Sequence, residues 1–186
     1  MKKLTLIIAL FAAVFAGCNK DDDESTWKKY TEWRDANNAW LAEMEARTND
    51  DGTPYYTKVV PDWNPGAFVL IHFFNDPAEN ADKLSPLYTS TIDVRYKLHL
   101  YNDVPADSST TLTQYGPGVY RARLNQLVQG WAIGMSKMHC GDTVELIVPY
   151  GVAYGSQTSG ILPPYSNLRF NIRLVDIYKY EETPYN

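Results

Sequence analysis

Apolar residues recur between residues 26 and 47 at steps close to three and four. They are Trp27, Tyr30, Trp33, Trp40, Leu41 and Met44, with charged residues between them. This spacing predicts one amphipathic helix from Thr26 to Arg47, with Thr26 as N-cap and the turn Asn49-Asp50-Asp51-Gly52 as its end. Three tryptophans on one helix are unfavourable to leave in water, so the face covers something. The following domain is the expected target; a homodimer through this helix is the alternative.

Beyond residue 55 the period changes. Tyr55 to Val60 and Ala67 to Phe74 are rich in β-branched and aromatic residues and read as strands, separated by the turn Pro61-Asp62-Trp63-Asn64-Pro65-Gly66. Asn75 to Pro86 is polar and irregular. From Thr91, Ile92, Val94, Tyr96, Leu98 and Leu100 alternate with polar residues, the pattern of a strand with one buried face. Asn102 to Gly118 reads as loop and Val119 to Arg123 as a short strand. Leu127 to Met138 predicts a helix, and Thr143 to Val148 and Leu168 to Tyr178 predict strands. The expected architecture is one α+β domain over residues 55–180, an antiparallel sheet packed on one short helix, preceded by the N-terminal helix at 26–50.

The chain opens with Lys2 and Lys3, followed by an apolar run of 12 residues from Leu4 to Phe15. That is too short to span a bilayer and reads as a secretory signal peptide over residues 1–17. Ala16-Gly17-Cys18 resembles the lipobox of bacterial lipoproteins, with Phe15 where an aliphatic residue is usual. The resemblance implies lipidation of Cys18 and a membrane anchor there. Residues 18–25, with four successive acids from Asp21 to Glu24, read as a solvated acidic tether. This run resembles the export signal of surface-displayed lipoproteins. The expected location is the outer membrane, on the cell surface or the periplasmic face.

Charge and chemistry narrow the function further. A net charge of −5 with no basic stripe excludes a nucleic-acid partner. With Cys18 lipidated, Cys140 has no partner for an internal disulfide, so the fold must rest on packing. His72, His99 and His139 lack ligand spacing, so neither a metal nor another cofactor is implied. No nucleophile or phosphate loop is evident. What remains is an aromatic-rich stretch from Leu127 to Phe170.

From Asp93 to Tyr178 the chain resembles the FK506-binding-protein (FKBP) family of peptidyl-prolyl cis-trans isomerases. The motifs, in order, are Asp93-Val94-Arg95-Tyr96, Ala106-Asp107-Ser108-Ser109, Leu127-Val128-Gln129-Gly130-Trp131, Met138 through Gly141-Asp142, Ala153-Tyr154-Gly155, Ile161-Leu162-Pro163-Pro164 and Leu168-Arg169-Phe170. The resemblance implies a twisted antiparallel sheet wrapped around a short helix, with a substrate proline held between them. It makes Trp131 the pocket floor and Tyr96 and Phe170 its walls. Leu127 and Val128 line one side, and the Val128 N–H is a donor to the ligand. Tyr154 offers its hydroxyl to a substrate carbonyl, Asp107 is the pocket carboxylate, and Ile161 and Leu162 form a flap.

The expected partners are proline-containing polypeptides and FK506-like macrolides. Two positions depart from the family. Ala106 stands where an aromatic residue is usual, and the wall phenylalanine expected near Gly118 has no clear counterpart, with Tyr120 a partial substitute. Both departures imply a wider pocket. The leading expectation is an isomerase assisting exported or surface proteins. The alternatives are a catalytically weak proline-peptide-binding module or chaperone, and a surface-assembly component.

Overall fold

The computed structural model describes residues 20–179. The signal-like segment, Cys18 and the lipobox lie outside the described residues. Two helices come first, α1 (Lys20–Lys29) and α2 (Thr31–Ala46). The strands are β1 (Thr57–Val59), β2 (Val69–Phe73), β3 (Thr91–Leu100), β4 (Pro105–Ser108), β5 (Tyr120–Arg123), β6 (Thr143–Val148) and β7 (Leu168–Ile177). The third helix, α3 (Gln129–Met135), lies between β5 and β6.

The seven strands form one antiparallel sheet, six of them in the order β1-β2-β6-β7-β3-β4, with β5 pairing β3 off this path. β3 has β7 along one side. Its other side is shared, with β5 on Thr91–Val94 and β4 on Lys97–His99. This is the expected α+β class, with the sheet curled over α3.

Alternation builds the core. Ile92, Val94, Leu98 and Leu100 of β3 and Leu168, Phe170, Ile172 and Leu174 of β7 turn to the face that meets α3. β2 and β6 read differently because both of their faces are covered. Leu146 and Val148 face α3, whereas Ile147 and Leu70 face Met44, Tyr56, Trp40 and Leu41 on the outer side. A strand buried on both faces has no polar alternate, which is why the buried part of β6, Val144 to Val148, is apolar apart from Glu145. The carboxylate of Glu145 accepts a 2.5 Å hydrogen bond from the Tyr56 hydroxyl.

Helix α3 lies unusually close to the sheet. A Cβ on Gly134 would stand 2.6 Å from Cδ1 of Leu146, and one on Gly130 would overlap the side chain of Val148. Both neighbours are fully buried. The turn that follows is tied down by the buried carboxylate of Asp142. It accepts from the side-chain amides of Asn75 (3.0 Å) and Asn80 (2.7 Å) and from the His139 N–H (2.7 Å). Gly141 has a φ of +102° and backs onto Asn80 too closely for a side chain. The Gly141-Asp142 motif is therefore a structural joint.

The N-terminal helix expected as one piece from Thr26 is two, breaking at Tyr30, and helix begins six residues earlier, at Lys20. Nothing in the sequence marks the break, since neither glycine nor proline occurs there. The side chains of Arg34 and Thr31 stitch it. The Arg34 guanidinium donates to the Trp27 carbonyl at 2.8 Å and lies 3.4 Å from the Trp27 ring centroid, and the Thr31 hydroxyl donates back to the Lys28 carbonyl. The apolar face of α2 lies on the chain's own domain, as expected. Met44 and Trp40 pack on Leu70 and Ile147, and Trp33 packs toward Tyr101 and the main core. Further along, the loop expected from Asn102 to Gly118 contains β4.

The close approach of α3 yields a prediction. Gly130→Ala improves helix propensity by about 1 kcal/mol but forces a methyl into stiff, β-branched Val148. Overpacking of this kind costs about 1–3 kcal/mol. Urea unfolding should show a lower midpoint with an unchanged m-value, and an equal or higher midpoint would refute the packing account.

Candidate functional site

Between α3 and the concave face of the sheet lies a pocket lined by Tyr96, Leu98, Asp107, Tyr120, Leu127, Val128, Trp131, Tyr154 and Phe170. Its free space, counted to the open mouth, is about 450 Å³.

Each lining residue follows from the fold. Tyr96 and Leu98 are successive inward positions of β3, and Phe170 of β7 stands directly across from Leu98. Trp131 is in the first turn of α3 and is only 4% exposed. Its ring meets Phe170 edge-on at 5.3 Å and Tyr96 edge-on at 5.6 Å, making the floor that the family resemblance implies. These edge-to-face contacts are each favourable by about 0.5–1.5 kcal/mol beyond burial. Leu127 and Val128 precede α3, and no acceptor for the Val128 N–H occurs among the described residues.

Asp107 reaches the pocket through a bulge. β4 pairs Asp107 with Leu98 but Pro105 with His99, so Ala106 is an extra residue. A bulge re-aims the side chain beside it, and here it turns the carboxylate onto Tyr96. The Tyr96 hydroxyl donates to Asp107 Oδ2 at 2.6 Å, and the Ser108 N–H donates to Oδ1 at 2.7 Å. Behind them, buried Ser109 accepts from the Tyr96 N–H at 2.9 Å.

Tyr120 closes the wall. Its ring meets Tyr96 edge-on at 5.7 Å. It is placed by the β3–β5 register, in which Val94 faces Tyr120 and Asp93 faces Arg121. Arg121 grips Asp93 with two hydrogen bonds of 2.7 Å. The gap expected near Gly118 is thus filled from the next strand. The pocket is not left without a wall, although Ala106 contributes no ring.

The expected residues divide as follows. Tyr96, Asp107, Leu127, Val128, Trp131, Tyr154 and Phe170 converge on the pocket, and Ile161 and Leu162 do not line it. Residues 159–162 form a tight turn with reciprocal backbone hydrogen bonds between Ser159 and Leu162, and Gly160 has a φ of +57°. The turn sends Leu162 into the core and leaves Ile161 in solvent. Leu98 was not singled out among the alternating positions of β3, because only pairing with the bulged β4 shows that it shares the pocket.

The electrostatics are those of protonated phenols around one carboxylate. Burial, then the hydrogen bond to Asp107, push the Tyr96 hydroxyl well above the ordinary tyrosine range. Burial, then the Asp107 charge, raise Tyr120. Burial raises Tyr154 most strongly, with a hydrogen bond to the Ser159 side chain acting in the opposite direction. All three phenols are protonated at neutral pH. Raised folded-state pKa values stabilise the fold below the unfolded tyrosine value of about 10 and lose that contribution as pH rises through the folded values.

Stability should therefore fall as pH climbs above 10, read by denaturant midpoints. Tyr96→Phe should flatten that dependence and cost about 1–3 kcal/mol at pH 7 by leaving Asp107 short of a donor. An unaltered slope would contradict the assignment.

Comparison with known proteins agrees with this geometry. Residues 84–175 match the family model described as FKBP-type peptidyl-prolyl cis-trans isomerase. The chain is 31% identical over 105 residues to a macrophage infectivity potentiator of Trypanosoma cruzi, covering 56% of this chain and 52% of that one. It is 34% identical over 86 residues to FK506-binding protein 2 of Debaryomyces hansenii, covering 46% of this chain and 62% of the other. The chain thus spans about half to three fifths of the length of these two curated relatives. A solved peptidyl-prolyl cis-trans isomerase of Pseudomonas syringae superposes with a TM-score of 0.61 at 20% identity, covering 89% of this chain and 98% of that one, a likeness of fold. The match to the FKBP-type peptidyl-prolyl cis-trans isomerase family thus takes in residues 84–175, just under half of the chain and all of the pocket.

Proposed function

We propose that this protein is a peptidyl-prolyl cis-trans isomerase that binds proline-containing segments in the pocket over Trp131. The observation that supports it best is the joint placement of Trp131, Phe170, Tyr96, Tyr120 and Asp107 around one hollow between α3 and the sheet. The X–Pro bond rotates over a barrier of about 18–20 kcal/mol set by amide resonance. Three to four decades of acceleration require about 4–6 kcal/mol at roughly 1.4 kcal/mol per decade. That is within reach of positioning and polarity alone, without a covalent step.

The apolar floor and walls hold the proline ring. They favour the twisted amide, which is less polar than the planar one. The Val128 N–H and the Tyr154 hydroxyl hold flanking carbonyls while the bond turns. Asp107 fixes the Tyr96 wall through its hydrogen bond. FK506-like macrolides, which present a similar ring and carbonyls, would occupy the same hollow.

The lipobox-like Cys18 and the signal-like segment support a second layer of the reading. The protein would be a lipid-anchored outer-membrane lipoprotein, on the cell surface or the periplasmic face, assisting the folding of exported or surface proteins. Protease shaving of whole cells separates the two faces, since a surface protein is lost and a periplasmic one is kept.

NMR exchange on Xaa-Pro peptides tests the activity. The intact chain should speed cis-trans exchange by three to four decades. Trp131→Leu should lower kcat/KM about tenfold or more, with a far-ultraviolet spectrum like the parent's. Failure of the intact, folded chain to accelerate exchange would leave a proline-binding module without turnover as the better reading.

A further inference from the structure

We propose that Asn37, on α2 and outside the family-matched region, is a positioning residue for the pocket: through Asn167 and Tyr150 it fixes the turn that presents Tyr154. The proposal rests on the proline-pocket reading above.

The connection is a chain of short hydrogen bonds that starts from two fully buried side chains. Asn37 and Asn167 are both 0% exposed. The Asn37 side-chain oxygen accepts from the Asn167 backbone N–H at 2.8 Å, and the Asn37 carbonyl accepts from the Asn167 side-chain amide at 2.7 Å. The Asn37 side-chain N–H is spent on the Trp33 carbonyl at 2.9 Å, which fixes the orientation of its amide group. The remaining oxygen of Asn167 accepts from the Tyr150 N–H at 2.8 Å. The Tyr150 carbonyl accepts in turn from Ala153 (3.1 Å) and Gly155 (2.9 Å), the two neighbours of Tyr154. Three residues in series, Asn167, Tyr150 and either Ala153 or Gly155, thus separate Asn37 from Tyr154, and each hydrogen bond among them is directional.

The far side of the same loop is held from the same helices. Trp33 donates its indole N–H to Ser166 Oγ at 3.1 Å, and Ser166 donates to the Pro163 carbonyl at 2.7 Å. Tyr165 has a φ of +63°, an uncommon conformation for a residue with a side chain, and it is buried. Such a residue persists only where its surroundings hold it. Here its ring is met edge-on by Trp27 at 5.3 Å and by Tyr150 at 5.6 Å, and its N–H donates to the Gly155 carbonyl at 2.8 Å. The loop from Tyr150 to Asn167 is therefore moulded against α1 and α2. A bulky, partly left-handed loop with its own turn chemistry would have several arrangements without them. A one-ångström error in a positioned donor is enough to slow a reaction strongly.

The test uses the full chain and three variants. Asn37→Ala breaks the link to the Asn167 N–H. Trp33→Phe removes one indole N–H and keeps aromatic packing, so it decides the question should Asn37→Ala fail to fold. Met44→Ala is the control, because Met44 is on the same helix but packs on Leu70 and Ile147, away from the loop. Three measurements are made on each: melting temperature, the amide resonances of Tyr154 and Gly155 without substrate, and kcat/KM for an Xaa-Pro peptide.

Asn37→Ala should lower kcat/KM about fivefold to tenfold, as for one lost positioning hydrogen bond, and shift both resonances. Trp33→Phe should lower it about twofold to threefold in a fully folded protein. Met44→Ala should melt at a similarly reduced temperature while kcat/KM stays within about twofold of the parent and both resonances stay in place. Loss of activity that follows melting temperature alike in Asn37→Ala and Met44→Ala would overturn the proposal. So would a folded Trp33→Phe with unmoved resonances and parental activity. An intact chain without exchange activity would sink the isomerase reading instead. The substrate-free resonances would then still decide whether Asn37 shapes the Tyr154 turn.

Discussion

The structure depends on how closely α3 can approach the sheet. Gly130 and Gly134, one turn apart, are the contact surface, and Val148 and Leu146 fill the space that side chains would have taken. Only at that depth does Trp131 come within edge-to-face reach of both Phe170 and Tyr96. The pocket is then what remains where the sheet curls past the end of the helix. Its floor and walls are continuous with the core, so its shape is as fixed as the core packing beneath it.

Around this apolar frame the polar groups act mainly as joints. Asp93 with Arg121 sets the register that delivers Tyr120 to the wall. Asp142 gathers the turn after α3, and Asn37 with Asn167 fastens the loop before β7. Each is a buried or largely buried polar group with its hydrogen bonds made, where leaving a partner out is more costly than the bond is favourable. Asp107 differs in facing the pocket. It is held by Tyr96 and the Ser108 amide, and after burial its charge adds to the upward shift of the neighbouring phenols.

Much of this was readable in the sequence because period-two alternation in β3 and β7 survives into the structure almost unchanged. Tyr96, Trp131 and Phe170 are found where pattern and motif order put them. Three features were not readable, each for a local reason. Strand β4 is Pro-Ala-Asp-Ser, a composition of turns, and it exists because β3 offers it an edge and Ala106 can bulge. The break at Tyr30 follows from Arg34 and Trp27 meeting in space, without a helix breaker in the chain. Ile161 and Leu162 read as two flap residues. Yet Gly160, in the left-handed region, turns one into the core and the other outward. Backbone reversals of this kind decide orientation by geometry that spacing does not encode.

The position of β7 in the sheet has a consequence for how the protein comes into being. The last strand among the described residues is an inner one, bonded to β3 on one side and β6 on the other. Without β7 these two halves of the sheet share no hydrogen-bonded strand. Asn37, made 130 residues before Asn167, has no one to meet. Joining the two halves therefore relies on contacts distant in sequence, the regime in which folding is slow. Until β7 is in place, a chain rich in tyrosine and tryptophan keeps its sheet open, and itself resembles the unfolded clients that a proline isomerase would serve.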